Sequence, residues 1–234
     1  EKVKANFFDL NSVRRLLQIV TKPRKNGRKN LILALGIVGI NVTFTVGTAA
    51  VSILYVLRSP LCWQPTVLGY FLAYRFFVLG AGGVIFIYVL KKCFNEINVT
   101  RLGFVSQIAA MLLFAFSTKT WMVFLVPAVS ILSAIQDPVL SSIASRIVTK
   151  EEQGILFAVS GCIGATGELV GNALFNSLYP LSLQFNFPGF VFVLCAGCSL
   201  VLLLCTSLFD VQLDILNKQE VDVNENKQVE TTAL

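Results

Sequence analysis

Long runs of apolar residues, separated by short polar segments, account for most of this 234-residue chain. A helix of about 20 apolar residues crosses a hydrocarbon core of roughly 30 Å. Four of the runs are long and two are shorter, and together they predict six membrane-spanning helices. The predicted spans are 31–57, 66–90, 102–116, 121–148, 153–178 and 187–209.

Composition agrees with this pattern. Hydrophobic residues make up 55% of the chain and charged residues 14%, and the mean hydropathy is +0.74. A soluble globule of this size needs more polar surface than these residues supply. The predicted fold class is therefore an all-α membrane protein, embedded in a lipid bilayer as one six-helix bundle. Nucleic acid is excluded as a partner, because the net charge of +6 is concentrated in the loops that flank the spans.

Lysine and arginine residues predict which loops face the cytoplasm, because basic loops stay on that side. Most of them lie before the first span, after the second span and after the fourth span. We therefore predict a cytoplasmic linker loop over 1–30, the bundle over 31–209, and a disordered cytoplasmic tail over 210–234. Because the chain begins at Glu1 without a methionine, it is expected to be a piece of a longer protein. A six-span bundle behind a basic loop fits one half of a two-half transporter.

Three charged residues lie within the predicted spans, where a charge is costly and is usually functional. Arg75 is near the middle of the second span, and Asp137 precedes Pro138 in the fourth. Glu168 in the fifth span is followed one turn later by Asn172, so that the two share a polar helical face. We predict that these groups converge on one site.

Two interpretations of such a site remain open. In the first, Arg75 and one acid form a buried ion pair that only fixes helix packing. In the second, the groups line a water-filled cavity, where Arg75 recognises an anion and Asp137 or Glu168 takes up a proton. Glycines spaced three or four residues apart in several spans predict helix-packing seams, which are either static contacts or surfaces along which helices slide during a conformational cycle.

The remaining motifs predict no enzyme, no cofactor and no metal site. Cys195 and Cys198 have a CxxC spacing, but inside an apolar helix they are interpreted as packing residues. The chain has no histidine and none of the common nucleotide-binding or nucleophile motifs. Cys62 differs, since its loop faces the oxidising side, where a disulfide can form. Its partner would have to come from outside this chain.

Several short strings resemble the C-terminal half of the proton-coupled folate transporter family. This is solute carrier family forty-six, within the major facilitator superfamily. The strings are PLCW at 60–63, LGY at 68–70, EQGILFA at 152–158 and FNSLYP at 175–180. They occur in the same order as in the family, and the resemblance extends over about 31–209.

The resemblance implies a twelve-helix transporter whose N-terminal six-helix half is the partner of this bundle. It implies a secondary active transporter, a proton-coupled symporter that moves small organic anions by alternating access at the plasma membrane or the lysosomal membrane. It also places a disulfide from Cys62 to the other half, and a gating turn at Glu152, Gln153 and Gly154.

The chain departs from the folate-transporting members at the positions expected to bind substrate. Thr45 stands where those members carry a histidine, and Ser141 stands where they carry an arginine. We therefore predict an anion site in which Arg75 replaces the missing arginine, with Thr45, Ser141 and Asn172 as further substrate-binding residues. The alternative is a membrane receptor or scaffold that keeps the transporter fold without transport. An Arg75 sealed against an acid favours that alternative, and a polar cavity favours transport.

Overall fold

The computed structural model of the chain describes residues 27–58, 61–184 and 187–207. The predicted tail over 210–234 and nearly all of the predicted linker over 1–30 lie outside these residues. The first helix begins at Gly27, so the last four residues of that predicted linker are already helical.

The described residues form helices joined by short turns, without strands. We number the helices α1 Gly27–Leu57, α2 Pro65–Cys93, α3 Glu96–Ala115, α4 Thr120–Val129, α5 Gln136–Ile147, α6 Gln153–Gln184 and α7 Phe190–Ser207. A 3₁₀ turn, Ile131–Ile135, joins α4 to α5, and the three together form the fourth span. Six helical segments are long and apolar enough to cross a membrane, which confirms the predicted all-α membrane fold.

Two predicted span boundaries were too narrow, because polar residues at helix ends find partners within the helix. The third span begins at Glu96 rather than at 102, and an acid in the first turn is favourable beside the free N–H groups there. Arg101 Nη1 also donates to Asn98 Oδ1 at 3.1 Å within the same turn. The fifth span continues past Pro180 to Gln184, where Ser182 Oγ donates to the Tyr179 carbonyl at 2.7 Å.

The closest helix contact in the bundle is between α1 and α6. Gly167 and Gly171 of α6 lie against the backbone of α1, and a Cβ atom at Gly171 would overlap the Thr43 carbonyl oxygen. This contact confirms that spaced glycines mark a close contact between helices. The prediction holds for only part of the glycine series, since a Cβ atom at Gly161 or Gly164 would have open space around it.

Aromatic residues pack together at the end of the bundle that holds the loop between α1 and α2. Trp63, Phe71, Phe114 and Phe192 belong to one buried cluster with residues of α1, α4 and α6. The Trp63 indole Nε1 donates to Thr120 Oγ1 at 3.1 Å, which attaches this loop to the start of the fourth span. The other end of the bundle is filled by aliphatic side chains from α1, α3, the 3₁₀ turn, α5 and α6.

Candidate functional site

The fourth span is broken near its middle, and the break positions the candidate site. Pro127 lies inside α4, and Pro138 lies in the first turn of α5. Each proline lacks an N–H group and therefore leaves a carbonyl without its helical donor. Serine hydroxyls bond carbonyls around the turn. Ser106 Oγ donates to the Val129 carbonyl at 2.5 Å, and Ser133 Oγ donates to the Ser130 carbonyl at 2.6 Å.

A cavity of about 170 Å³ lies beside this break, within the bundle. The first, second, third, fourth and sixth spans contribute to its wall. Its polar lining residues are Asn41, Thr45, Thr48, Ser52, Arg75, Gln107, Ser130, Ser133 and Asp137. Its aromatic lining residues are Phe71, Phe114 and Phe192. The cavity therefore combines a polar side with an apolar, aromatic side.

Arg75 and Asp137 both line this cavity, as the sequence predicted. They do not form the ion pair that the first interpretation requires. Asp137 Oδ1 accepts a hydrogen bond from Asn41 Nδ2 of α1 at 2.9 Å. Within residues 27–58, 61–184 and 187–207, Arg75 makes no hydrogen bond and no ion pair. The guanidinium is thus a cation without a protein partner in the described part of the chain, on the wall of a largely enclosed cavity.

The other predicted substrate-binding residues divide into those inside the cavity and those outside it. Thr45 lines the cavity. Ser141 does not, and lies instead in a smaller cleft with Leu35 and Phe157. Asn172 is exposed on α6, together with Glu168. Glu168, Asn172 and Ser141 therefore do not share the cavity with Arg75 and Asp137 in the described part of the chain, and their roles in coupling and binding stay predictions.

Glu168 and Asn172 lie on a polar face of α6 that the bundle itself leaves uncovered. Asn176, one turn further on, is also exposed, and its Nδ2 donates to the Asn172 carbonyl at 2.8 Å. A carboxylate at mid-span has to face protein or water rather than lipid. The assignment of Glu168 to proton coupling stays a prediction, and it would act on this face, away from the cavity.

Asn41, Thr48 and Gln107 line the cavity although the sequence analysis did not select them. One available signal was the spacing of polar residues in the first span. Asn41, Thr45, Thr48 and Ser52 follow one another at intervals of three or four residues, which places them on one helical face. Gln107 had no comparable signal, because the residues three and four positions away on its helical face are apolar: Gly103, Phe104, Ala110 and Met111.

The predicted gating residues lie at the turn between α5 and α6. Gln153 Nε2 donates to the Ser145 carbonyl at 3.2 Å and so connects the two helix ends, and Glu152 and Gly154 flank it. Nearby, Arg146 Nη2 lies 2.6 Å from Glu96 Oε1 and joins the fourth span to the third. The gating role itself stays a prediction.

Cys62 is exposed in the loop between α1 and α2 and has a free thiol in the described part of the chain. Its backbone has a φ of 45°, a value uncommon for residues other than glycine. A free, exposed thiol is compatible with a disulfide to a partner outside this chain. The pairing stays a prediction.

Comparison with known proteins places the chain among membrane transporters. It is 32% identical over 203 residues to the proton-coupled folate transporter of Bos taurus, covering 84% of this chain and 43% of that protein. It is 32% identical over 208 residues to the lysosomal proton-coupled steroid conjugate and bile acid symporter of Gallus gallus, covering 86% of this chain and 44% of that protein. The human form of the latter is 29% identical over 207 residues, covering 83% of this chain and 44% of that protein.

No protein-family model matches the chain. The chain spans less than half the length of these curated relatives. Both kinds of relative are solute carriers of the family whose sequence strings were identified above, and the six spans agree with the fold of such a transporter. The chain is thus a multi-pass membrane protein, and it belongs to the proton-coupled folate transporter family, solute carrier family forty-six.

Proposed function

We propose that the chain is the C-terminal half of a proton-coupled symporter that moves small organic anions by alternating access. The observation that carries this proposal is the guanidinium of Arg75, which has no partner among the described residues and shares a cavity with the carboxylate of Asp137. An ion pair between them would have cancelled both charges and left a static packing contact. With Asp137 held by Asn41, the guanidinium retains its N–H groups for a ligand.

The lining of the cavity supports an organic anion as the substrate. A guanidinium presents several N–H groups in one plane and bonds carboxylate, sulfate or phosphate oxygens in pairs. Phe71, Phe114 and Phe192 supply an apolar wall on which a ring system packs. Thr45 adds a hydroxyl to the polar side. The names of the relatives, a folate transporter and a steroid conjugate and bile acid symporter, indicate that anions with large ring systems are the compounds to test.

Asp137 is the proposed proton carrier. It lies on the cavity wall at the break in the fourth span, where a carboxylate is reached by water whenever the cavity opens. Taking up one proton neutralises its charge, so one proton can accompany a singly charged anion without net charge movement. Glu168 is the second candidate from the sequence, and it would serve a pathway on the uncovered face of α6.

The rest of the proposed transporter lies outside this chain. An N-terminal six-helix half would cover the polar face of α6, and a cysteine of that half would pair with Cys62. We propose the plasma membrane or the lysosomal membrane as the location, since the name of one relative specifies lysosomes. We expect a transport role rather than a catalytic one, since the relatives are named as a transporter and a symporter.

The test is uptake by the full-length protein in proteoliposomes, with labelled folate and labelled estrone sulfate as probes, at neutral and at mildly acidic external pH. Wild type is expected to take up at least one probe faster at acidic pH. Arg75→Gln should lower that uptake by about tenfold or more, because a charge-assisted hydrogen bond to the anion is lost. Arg75→Lys, which keeps the charge, should retain part of it.

Arg58→Gln is the matched control, because Arg58 is an exposed arginine at the end of α1 and does not line the cavity. It should transport as wild type does. Unchanged anion uptake by Arg75→Gln at normal amounts of reconstituted protein would remove Arg75 from the site. Binding of a probe without any uptake would instead support the receptor or scaffold.

A further inference from the structure

We infer that Asn41 is a positioning residue that makes proton binding at Asp137 change the contact between the first and fourth spans. The inference rests on the proposed function, in which Asp137 carries the proton. The inference assigns a role to a residue of the first span, and neither the sequence strings nor the names of the relatives indicate that role. Its role is to join the site of protonation to a helix that can move.

The geometry that supports this is a buried bond between distant parts of the chain. Asn41 is 3% exposed, and its Nδ2 donates to Asp137 Oδ1 at 2.9 Å across 96 residues of sequence. The other end of the same amide, Asn41 Oδ1, is buried and has no hydrogen-bond partner among the residues that the structure describes. A buried oxygen without a donor is energetically unfavourable, so a donor that reaches this oxygen will be bound.

A primary amide suits both protonation states of the acid. An ionised carboxylate only accepts hydrogen bonds, and the amide N–H₂ group donates to it. When Asp137 takes a proton from water on the non-cytoplasmic side, one carboxylate oxygen gains an O–H bond and the charge goes from minus one to zero. The acid then becomes a donor, and the free Oδ1 of Asn41 is an acceptor on the same side chain. Loss of the proton to cytoplasmic water reverses both changes.

Few other charged groups of the described residues lie near the proton-binding carboxylate of Asp137. The elements around the cavity present Asn41 and Thr45 from α1, Arg75 from α2, Gln107 from α3 and Phe192 from α7. Among these described lining residues only Arg75 is charged, apart from Asp137 itself. A bound anion therefore compensates Arg75, and the proton compensates Asp137, so that both charges are neutralised together before the cavity closes.

The position of Asp137 allows a change at this bond to become a movement. It lies just after the 3₁₀ turn Ile131–Ile135 and just before Pro138, where continuous helical hydrogen bonding is interrupted. Such interruptions are the usual places at which helices bend. Asn41 bonds the ionised acid through its N–H₂ group and the protonated acid through Oδ1. The change from one bond to the other therefore acts on the part of the fourth span that bends most easily.

The first experiment compares two modes of transport in the full-length protein in proteoliposomes. Net uptake of labelled estrone sulfate or folate driven by a pH gradient requires proton release, whereas exchange of labelled for unlabelled probe at equal pH does not. Asn41→Leu should lower gradient-driven uptake about tenfold more than it lowers exchange, within the usual range of coupling energies. A purely structural role would lower both modes equally and would overturn the inference.

Two further variants distinguish loss of the Asn41–Asp137 bond from general misfolding. Asn41→Ser keeps a group that both donates and accepts, and it should restore part of the gradient-driven uptake that Asn41→Leu loses. Asn30→Leu is the matched control, because Asn30 is another buried asparagine of α1 that does not line the cavity and whose side chain has no hydrogen-bond partner in the described part of the chain. It should behave as wild type in both modes. A loss in Asn30→Leu equal to that in Asn41→Leu would show that the substitution, and not the bond, causes the effect.

The second experiment needs no transported probe. Spin labels at Leu54→Cys and Leu125→Cys, two exposed positions on the first and fourth spans, report the distance between these spans. In an otherwise wild-type protein the distance should change between neutral and mildly acidic pH, and Asn41→Leu should abolish the change. The same response with and without Asn41, or no response in either protein, would overturn the inference. If wild type takes up neither probe, the proposed symport fails, while this measurement still decides the role of Asn41.

Discussion

The side chains of Gln107 and Gln136 bond each other inside the bundle, with Gln136 Nε2 donating to Gln107 Oε1 at 3.0 Å. Gln136 is 0% exposed and Gln107 is 5% exposed. The bond joins α3 to the first residue of α5, directly behind the break in the fourth span. A buried amide pair is favourable only while both partners are present, and this leads to the first prediction.

Gln107→Leu is expected to lower the free energy of unfolding by about 1–3 kcal/mol, because it leaves the buried Gln136 amide without an acceptor. The double variant Gln107→Leu with Gln136→Leu should recover most of this loss, since no amide then remains unpaired. Thermal unfolding of the purified full-length protein in detergent measures both. Losses that simply add in the double variant would contradict the pairing.

Gly171→Ala is expected to separate α1 from α6, because the new methyl group would meet the Thr43 carbonyl, a backbone atom that cannot turn aside. Overpacking of this kind costs about 1–3 kcal/mol, and folded protein in detergent should decrease accordingly. Gly164→Ala is the control on the same helix, where a Cβ atom has nothing within 4 Å. Equal behaviour of the two variants would show that the helices do not meet at Gly171.

Asp137→Asn is expected to remove the pH dependence of uptake, because the amide cannot gain or lose a proton near neutral pH. In wild type, acidification of the non-cytoplasmic side should increase uptake, since a higher proton concentration fills Asp137 more often. The measurement is initial uptake across a series of external pH values. Glu168→Gln should keep the pH dependence, because Glu168 does not line the cavity. The opposite result would assign proton coupling to Glu168.

Asn30→Leu is expected to raise thermal stability or leave it unchanged. Asn30 is 0% exposed, and neither Nδ2 nor Oδ1 has a hydrogen-bond partner. Burial of an unsatisfied amide costs about 1–3 kcal/mol, and leucine has the same branching without polar atoms. A large loss of stability would indicate that Asn30 bonds a group outside the described residues.

The number and type of the spans could be predicted from the sequence, because hydrophobic length is a local property of the chain. The depth of Arg75 and Asp137 within their spans is also a local property of the sequence, and both residues line the cavity. The direction in which a side chain points around its helix is not a local property of the chain. Glu168 faces outward because its neighbour Gly167 packs against Thr43, and successive residues in a helix are about 100° apart around its axis. This rotation is fixed by contact with another span.

Ser141 shows that the surroundings of a residue along the helix axis cannot be predicted from its own span either. It lies one turn after Asp137 on the same face of α5, so the sequence places both in one site. One turn further along, however, the surroundings change to Ala34 and Leu35 of α1 and Leu156 of α6, and the space narrows to a small cleft. Which neighbours surround a helix at each level depends on how the spans pack, and no pattern within the fourth span contains that information.

The 3₁₀ turn Ile131–Ile135 also sets the size of a movement that the fourth span can make. A 3₁₀ helix rises about 2.0 Å and turns about 120° per residue, whereas an α-helix rises about 1.5 Å and turns about 100°. If these five residues wound as α-helix, α5 would move about 2.5 Å toward α4 and rotate by about 100° relative to it. That screw motion of α5 relative to α4 would carry Asp137 from the Arg75 side of the bundle toward a different neighbour.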